Sequence, residues 1–377
     1  MRIAIVTLPV NKNFGGILQA FALQKTIEKY GHEAYVVNPD YEEPKGIFEK
    51  LKAYTPRVLQ KYILHKNIPI RKEAERKRWL EETSSQTILF IKRHINLCNI
   101  HSLKDLNKLD FDAFIIGSDQ IWRKEYNNNL FANSTLYDTF GDFVTNRNNR
   151  IFSYASSFGK DNINNYTKKD ITKIRKLLKD FCGVSSREDS GTEILSSILD
   201  CKHAVTVLDP TLLITKDEYL ELCREYNKAD IKGKIATYIL DKNTANDEII
   251  TTIKSRIKKM SVEINNQDHN KPQHPVEHWL YHIANADFII TDSFHATVFS
   301  IIFEKPFIVI ANKNRGISRL DSLLNKTQLH SQLIYSRDDI EKVNMNPDFI
   351  YAKKVINNLR EFSVEYISEC LNKIKEK

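Results

Sequence analysis

Two segments of the chain, 112–122 and 286–303, share a pattern that restricts the fold more than any other feature of the sequence. Each holds the short apolar run Phe-Ile-Ile, followed by a small or hydroxyl residue and then by aspartate and serine. Such runs are typical of strands buried in a parallel sheet, and the polar residues predict a turn into a helix. Because open α/β sheets bind ligands beyond the carboxyl ends of their strands, Asp292, Ser293 and His295 are expected to face a cleft. The alternative is a capped helix with one satisfied core histidine.

The two similar segments lie far apart, which predicts two doubly wound halves that each contribute a strand end to a shared cleft. At 377 residues the chain exceeds what one hydrophobic core usually supports. Alternating strand and helix patterns therefore predict an α/β fold of two Rossmann-like, doubly wound domains facing a cleft. We place the first domain at 1–208, with a helical insertion at about 44–104, and the second at 209–346. Residues 347–377 are expected to form a long amphipathic helix.

The composition is that of a globular protein, with 41% hydrophobic and 10% aromatic residues. The first apolar run is expected to be a strand and not a signal peptide, and no run is long enough to cross a bilayer. Five scattered cysteines without a Cys-x-x-Cys pair argue against a disulfide framework or a zinc site. Their number and spacing fit a protein of the reducing cytoplasm.

Four histidines, at positions 269, 274, 278 and 282, are close enough in sequence to raise the question of a metal site. Their i,i+4 spacing would place pairs of them on one helix face. Because no carboxylate accompanies them in a recognised pattern, a solvated helix is the favoured interpretation and no metal is predicted.

The net charge of +8 invites a nucleic-acid partner, but no recognised nucleic-acid motif accompanies it. The basic residues are mostly interleaved with acids, as in segment 71–78, which is typical of a solvated helix face. The same segment would also suit anionic lipid headgroups at the cytoplasmic membrane face. A solvated helix face is therefore the favoured interpretation of this charge, and a membrane contact is the second. No nucleic-acid partner is expected.

Cationic residues follow strands in both predicted domains. Arg187 comes after a strand, where it suits bidentate binding of phosphate or carboxylate. The local sequence slightly favours the alternative, an ion pair of Arg187 with Glu188 or Asp209. Arg315 and Arg319 lie in a polar loop that would face Arg187 across the cleft, with a plain surface loop as the alternative. Cations from both domains around one histidine would suit a small, highly charged anion.

A glycine turn, Asn13-Phe14-Gly15-Gly16, follows the first predicted strand and precedes a helix. Backbone N–H groups at such a helix start can hold an anion. The turn is not a full G-x-G-x-x-G motif, so dinucleotide binding is weakly supported. A plain turn that needs glycine for a positive φ is an equally supported alternative.

Several ordered motifs resemble those of the polysaccharide pyruvyl transferase family, over about residues 1–340. The matching stretches are NFGGILQA at 13–20, IGSDQIW at 116–122, SYASSFG at 153–159, SSRE at 185–188, VLDPT at 207–211, and residues 291–303 with KPF at 305–307. One departure is Ala296, where glycine is expected, so that a methyl group would approach the site.

The resemblance implies a fold like that of the two-domain glycosyltransferases called GT-B, with a C-terminal helix crossing back to the first domain. It also implies that the pyruvyl group of phosphoenolpyruvate is transferred to two hydroxyls of a sugar in a surface polysaccharide or its precursor. The product would be a cyclic ketal, with release of phosphate. No cofactor besides this co-substrate is expected.

The resemblance and the charge pattern together suggest roles for single residues. His295 is expected to be the catalytic proton donor and acceptor, because an imidazole titrates near neutral pH. Phosphoenolpyruvate is expected to bind to Arg187, Ser293, Arg315 and Arg319, of which Arg187 matches the family pattern and the last two follow from charge alone. The acceptor is expected to bind to Asn13, Gly15, Gly16, Ser118 and Asp119.

Two functions of other classes compete with this interpretation. A glycosyltransferase of the GT-B fold would bind a nucleotide sugar and not phosphoenolpyruvate. A non-catalytic protein would bind a sugar or an anion without turnover. If the acceptor sugar is carried by a lipid, the otherwise cytoplasmic protein is expected at the inner membrane face.

Overall fold

The computed structural model describes all residues except 41–46, 66, 68–69, 127–129, 132–133, 148–149, 227–230, 269, 313–314 and 377. Its first sheet consists of the strands β1 (Arg2–Val6), β2 (Glu33–Pro39), β3 (Leu97–Ile100), β4 (Ala113–Ile116) and β5 (Ile151–Ser153). They are parallel and lie in the order β3-β2-β1-β4-β5. Apart from Arg2 at the start of β1, the strands β1 and β4 are apolar on both faces and buried, as expected for a sheet covered by helices on both sides.

The first half of the chain covers this sheet with helices and adds a short two-stranded sheet. The helices are α1 (Phe14–Lys29), α2 (Ile47–Tyr62), α3 (Lys72–Thr83), α4 (Thr87–His94), α5 (Lys168–Leu178) and α6 (Asp189–Glu193). The short strands are β6 (Ser185–Ser186) and β7 (Val205–Thr206).

The second sheet has its own parallel order, β12-β11-β10-β8-β9. These strands are β8 (Ile235–Tyr238), β9 (Ser261–Glu263), β10 (Phe288–Thr291), β11 (Phe307–Ile310) and β12 (Leu333–Ile334). The helices of this half are α7 (Lys216–Leu222), α8 (Thr244–Ile257), α9 (Val276–Asn285), α10 (Phe294–Ile302) and α11 (Ser318–Lys326). The predicted pair of doubly wound α/β domains is confirmed.

The last helix, α12 (Ile350–Lys375), runs from the second half of the molecule back to the first. Near its start, Lys353 pairs with Glu304 (3.4 Å), and further along the Ser363 hydroxyl accepts from the Leu208 N–H (3.0 Å). The Tyr366 hydroxyl then donates to the carbonyl oxygen of Ser153 at the end of β5 (2.8 Å). The crossing helix expected from the sequence is therefore present.

Three short strands were not predicted. The segment expected to be a helical insertion contains α2, α3 and α4, but also β3, which pairs with β2 at the edge of the sheet. The strands β9 and β12 are the edges of the second sheet and have three and two residues. An edge strand of this length carries too few buried positions to give a clear periodic signal.

The first helix is also docked on the second domain. The Phe14 ring stacks on Trp279 of α9 with centroids 5.5 Å apart and lies 6.1 Å from Tyr238 at the end of β8. Aromatic contacts of this kind fix the distance between the elements that carry them. The start of α1 is thus held close to the strand ends of the second sheet. Among the described residues, no helix is long and apolar enough to span a membrane.

Candidate active site

The cleft lies where the strand order of each sheet reverses. In the first sheet this point falls between β1 and β4, where the Thr7 hydroxyl donates to the Ser118 carbonyl oxygen (2.8 Å). In the second it falls between β8 and β10, where the Asp292 carboxylate accepts from the N–H groups of Leu240 (2.6 Å) and Asp241 (3.0 Å). Doubly wound sheets bind ligands at such switch points. The two switch points face each other and form one candidate site.

A cavity of about 110 Å³ opens between these strand ends and is lined from both domains. It brings together six residues that the sequence suggested for the site: Asn13, Asp119, Ser293, His295, Arg315 and Arg319. Asp292, which was expected to face the cleft, lines the same cavity. The polar residues that follow the two Phe-Ile-Ile runs therefore meet, as the sequence pattern indicated.

His295 lies in the first turn of α10 and reaches towards the first domain. Ser293 caps this helix, because its hydroxyl oxygen accepts from the Ala296 N–H (3.4 Å). The imidazole passes so close to Gly15 of α1 that a Cβ on that glycine would lie 2.1 Å from Nδ1. The His295 side chain is buried, and its Nε2 has no hydrogen-bond partner among the described residues. This nitrogen is available to a ligand, since a buried polar atom is costly to leave unpaired.

Asp209 is the acidic neighbour of His295. Its Oδ2 lies 3.6 Å from Nε2 of the imidazole, which is too long for an ordinary hydrogen bond but suits an ion pair when the ring is protonated. Its Oδ1 accepts from the N–H (3.0 Å) and the hydroxyl (2.6 Å) of Thr211. Burial raises the pKa of Asp209, but His295 and Arg187 lower it by more, so this pKa lies well below its usual range. The carboxylate is charged at neutral pH and can stabilise an imidazolium.

Arg187 forms the centre of a buried charge cluster, with a side chain only 1% exposed. It donates to Asp209 (2.7 Å) and Asp119 (3.5 Å), and its Nε lies 3.9 Å from the Glu188 carboxylate. Burial lowers the pKa of Arg187, but these carboxylates raise it by more. The ion pairs that the sequence left as an alternative are therefore present. Arg187 lines a second cavity of about 130 Å³ behind the cleft, and its predicted contact with phosphoenolpyruvate stays a prediction.

Glu188 completes this cluster from the next position in the chain. One of its oxygens accepts from the Ser157 hydroxyl (2.6 Å), and the other has no hydrogen-bond partner among the described residues. Burial raises the pKa of Glu188, against the lowering effect of Arg187. The motifs at 153–159 and 185–188 thus meet around one buried arginine.

Arg319 has a different environment from Arg187, although both guanidinium groups lie over the ring of Phe294, at 5.4 and 4.8 Å from its centroid. Arg319 donates to the carbonyl oxygen of Arg315, and its Nε has no partner among the described residues. Burial, and then the charge of Arg187, lower the pKa of Arg319 to about 10. A buried cation with an unused N–H group is well suited to hold an anion.

Arg315 is closer to solvent and already has an acidic partner. Its guanidinium makes a two-point ion pair with Asp241, at 2.7 and 2.9 Å, and this pairing raises the pKa of Arg315. The amide of Asn312 donates to the same carboxylate (2.6 Å). In the described structure Arg315 is thus oriented by Asp241 at the mouth of the cavity. Its predicted contact with phosphoenolpyruvate stays a prediction.

The structure gives a different reason for glycine in the first turn than the positive φ suggested by the sequence. Helix α1 begins at Phe14, and the Asn13 side chain caps it by accepting from the Gly16 N–H (3.1 Å). Neither Gly15 nor Gly16 has a positive φ. The interpretation that this turn needs glycine for its backbone conformation is therefore wrong. Glycine is needed at 15 because the ring of His295 occupies the space of a side chain.

The acceptor residues predicted on the first domain are divided by the structure. Asn13 and Asp119 line the cavity, and Asp119 has the left-handed φ of 67° that aspartate tolerates better than most residues. Gly15 lies behind His295, and Gly16 and the fully buried Ser118 do not line the cavity. These three residues therefore shape the site from behind.

Several lining residues were not singled out from the sequence. They are Leu8, Gln120, Tyr126, Tyr238, Leu240, Phe294, Asn312, Gly316 and Leu320. Gly316 has a φ of 79°, and a Cβ on it would lie 2.4 Å from the carbonyl oxygen of Gly159. The backbones of the two domains touch there, so glycine is required. Ala296 is fully buried and does not line the cavity, so its methyl group does not approach the site.

His278 and His282 of α9, together with His274 just before the helix, form a column of rings and not a solvated face. The rings of His274, His278 and His282 follow one another at 4.3 and 3.9 Å, and the last two residues are buried. The solvated helix favoured from the sequence is therefore wrong. Burial and the neighbouring rings lower the pKa of His278 to about 3. His269 lies outside the described residues, and among those described no group of three or more ligands could hold a metal ion.

The fold and site define a class, that of two-domain α/β proteins with the GT-B-like arrangement and a charged cleft between the domains. UDP-GlcNAc 2-epimerase from Neisseria meningitidis bound to UDP-GlcNAc shows this fold with a TM-score of 0.50 and 12% identity, over 97% of this chain and 99% of that chain. Medicago truncatula UGT71G1 complexed with UDP-glucose has a TM-score of 0.45 and 11% identity, over 100% and 98% of the two chains.

The sequence comparison is more specific than the fold. The model of the polysaccharide pyruvyl transferase family matches residues 13–314. The chain belongs to this family, whose description is that of a transferase acting on polysaccharide, and the resemblance of the motifs is confirmed. No curated protein matches the chain by sequence.

Proposed function

We propose that the protein transfers the pyruvyl group of phosphoenolpyruvate to two hydroxyls of a sugar in a surface polysaccharide or its precursor. The family supports a pyruvyl transfer, and one observation of the site carries the proposal further. A buried histidine, whose Nε2 has no hydrogen-bond partner among the described residues, lies 3.6 Å from a charged aspartate. The cavity lined by this histidine is also lined by an arginine whose Nε has no hydrogen-bond partner among those residues either. A proton donor and a cation are what transfer from phosphoenolpyruvate requires.

The second domain would bind the donor. Arg319 and the helix start at Ser293 provide N–H and O–H groups for the phosphate and the carboxylate. Arg315 would join them from the cavity mouth by exchanging part of its pairing with Asp241 for the anion. Arg187 would act from behind the cleft, since its charge is directed to three carboxylates, one of which is Asp209, the partner of His295.

The first domain would bind the acceptor. Asn13 and Asp119 line the cavity opposite the arginines and can hydrogen-bond to sugar hydroxyls. Gly15 admits His295 to this wall, and Gly16 and Ser118 support the backbone of the two strand ends. The acceptor is a saccharide, free or lipid-linked.

His295 would supply the proton that starts the reaction. Its imidazolium, stabilised by Asp209, gives a proton to C3 of phosphoenolpyruvate and leaves an oxocarbenium-like C2. One sugar hydroxyl adds to C2 and returns a proton to His295. The C2–O bond to phosphate then breaks, the second hydroxyl adds to C2, and its proton leaves with the phosphate. Two C–O bonds form, one C–O bond breaks, and no cofactor is needed.

With this chemistry the protein would act in the cytoplasm, where phosphoenolpyruvate is available to it. A lipid-linked acceptor would bring it to the inner face of the membrane. The basic segment 71–78, in which Arg71, Arg76, Lys77 and Arg78 are exposed, would support such a peripheral contact. Nucleic acid has no place in this proposal.

The proposal is tested by thermal unfolding with phosphoenolpyruvate and, separately, with UDP-GlcNAc and UDP-glucose. A ligand at about 100 times its Kd adds roughly 2.7 kcal/mol to the stability of the folded state. We expect stabilisation by phosphoenolpyruvate, and its loss in Arg319→Ala. The matched control is Arg224→Ala, which removes an exposed arginine outside the cleft and should keep the effect.

Arg187→Ala is a poorer test, because it would leave three buried carboxylates without their cation and destabilise the fold itself. Stabilisation by a UDP-sugar alone would mean a nucleotide-sugar glycosyltransferase. Binding of phosphoenolpyruvate without turnover of any saccharide acceptor would mean a non-catalytic anion-binding protein. Either result overturns the proposed function.

A further inference from the structure

Helix α2 exposes an apolar surface that no part of the described chain covers. Four of its large apolar side chains, together with those of the two residues that follow, are 39% to 64% exposed. We call them the α2 stripe: Leu51, Val58, Leu59, Tyr62, Ile63 and Leu64. The helical members are spaced by seven, one and three residues, so they lie on one face of the helix. The half-buried Tyr54, Arg57 and Gln60 lie towards the rest of the protein.

The same part of the chain holds almost all of the excess positive charge. Between residues 47 and 78 the sequence has ten lysines and arginines and three acids, a net charge of +7 against +8 for the whole chain. Lys61 is exposed beside the stripe, and Arg71, Arg76, Lys77 and Arg78 are exposed on the next helix. The excess basic charge therefore falls within the stretch of sequence that contains α2 and α3.

We propose that α2 docks the protein on an anionic lipid bilayer, with the α2 stripe inserted at the boundary between headgroups and acyl chains. An apolar helix face bordered by lysine and arginine is the pattern of helices that lie in a membrane interface. Basic side chains near an anionic membrane surface each add attraction to the lipid. The net charge of +7 in this segment favours an anionic surface over a neutral apolar partner.

The position of the α2 stripe relates the docking to the cleft. The next helix, α3, contacts the segment before α1, where Lys12, the residue directly before Asn13, lies over the Trp79 ring (3.8 Å). A groove of about 660 Å³ runs between this helix and the strand ends of the first sheet, lined among others by Lys77, Leu80 and Asn99. A lipid-linked sugar would be presented beside the acceptor wall. That part of the inference rests on the proposed function, whereas the docking itself does not.

The docking is tested by co-sedimentation of the full chain with phosphatidylcholine vesicles that contain about 30% phosphatidylglycerol. We expect the protein to pellet with these vesicles and to bind at least about tenfold more weakly to phosphatidylcholine alone. The variant Leu59→Asp/Ile63→Asp should bind the anionic vesicles at least about tenfold more weakly than the wild type. Leu59 and Ile63 are both exposed, so this double variant should retain the fold.

The matched control is Met260→Asp/Ile350→Asp, which places the same two negative charges on apolar residues that are 73% and 78% exposed elsewhere. This control should bind the anionic vesicles like the wild type. A wild-type protein that stays in the supernatant overturns the inference, as does an equal loss of binding in both double variants. A second copy of the chain would be the true occupant if Leu59→Asp/Ile63→Asp, and not the control, converted a lipid-free oligomer to monomer in sedimentation velocity. None of these outcomes depends on phosphoenolpyruvate.

Discussion

Arg187 and Arg319 lie over the same phenylalanine ring but belong to two regions with opposite character. The cluster around Arg187 lies behind the cleft, and its three carboxylates raise the pKa of the arginine. Arg319 lies in the cleft wall, and its pKa is lowered to about 10 because burial and the charge of Arg187 disfavour the protonated guanidinium. Within the described chain, no carboxylate makes an ion pair with Arg319.

The difference shows which charges hold the structure and which can bind a ligand. The Nε of each arginine lacks a hydrogen-bond partner among the described residues, so the difference lies in the charge. The charge of Arg187 is balanced by three carboxylates, whereas Arg319 has no ion pair with a carboxylate among the described residues and gains more from binding an anion. We therefore expect changes in the cluster to act first on stability. Changes in the cleft wall should act first on turnover or binding.

The largest effect is expected for Asp209→Asn, which removes the charge that both Arg187 and His295 face. Breaking a buried ion pair costs about 3 kcal/mol or more, so urea unfolding at pH 7 should show a loss of that order. Since the pKa of Asp209 is lowered by folding, its stabilisation is complete above the unfolded pKa of about 3.9 and is lost as the pH falls towards the folded value. The difference between wild type and variant should therefore be full above about pH 5 and shrink below about pH 4. A difference that grows with acid would contradict this account.

His295→Ala should still fold, at some cost in stability because a buried side chain beside Asp209 is lost, and should reduce turnover by roughly 10²-fold or more, because it removes the proposed proton donor. The measurement is phosphate release with a saccharide acceptor, beside thermal unfolding with phosphoenolpyruvate. The stabilisation by phosphoenolpyruvate should be largely kept, since Arg319 remains. A variant with the turnover of the wild type would remove His295 from the mechanism.

Gly15→Ala should reduce turnover by roughly tenfold or more, because its Cβ would lie 2.1 Å from His295 Nδ1 and displace the ring. The neighbouring Gly16→Ala is the matched control, since the nearest atom to its Cβ would be 3.7 Å away. Alanine suits a helix better than glycine, so the control should be as stable as the wild type or slightly more so. Equal losses in the two variants would show that helix geometry, and not the histidine, is affected.

Asp119→Asn should have the smallest effect, because Asp119 belongs to both regions. It lines the cavity and also accepts a long hydrogen bond of 3.5 Å from Arg187. Asparagine tolerates the left-handed φ of 67° as well as aspartate does, so backbone strain is not introduced. We expect the KM for the acceptor to rise by a few fold, corresponding to about 1 kcal/mol or less, with unchanged stabilisation by phosphoenolpyruvate. A weaker response to phosphoenolpyruvate would place Asp119 on the donor side.

The predictable parts of the molecule are those whose signal is local. β4 and β10 could be recognised because a strand buried on both faces is a continuous apolar run, and the polar residues after them indicated the cleft. His295, Ser293 and Asn13 follow from that rule. Asp241 obeys it too, since it comes after the apolar strand β8, and the same signal could have found it.

The other parts depend on contacts between distant positions. Arg187 meets Asp209 and Asp119, which are 22 and 68 residues away, and no periodicity links such positions. Gly15 could be seen as a glycine in a turn, but its contact with His295 joins two domains and becomes visible only in three dimensions. The exposure of the α2 stripe could not be predicted for a similar reason. A sequence pattern shows that a helix has an apolar face, but not whether that face packs against the rest of the protein.

The crossing helix α12 has a mechanical consequence. Its 26 residues span about 39 Å as one rigid rod, with an ion pair to Glu304 near one end and a hydrogen bond to the first sheet near the other. The two domains are thus joined twice, by the chain that passes between them and by this rod. A pair of bodies held by two connections loses most of its rotational freedom and keeps chiefly a single hinge-like motion. Any opening of the cleft would be confined to that one path, so the geometry between His295 and the first-domain wall of the cavity would be restored on closing.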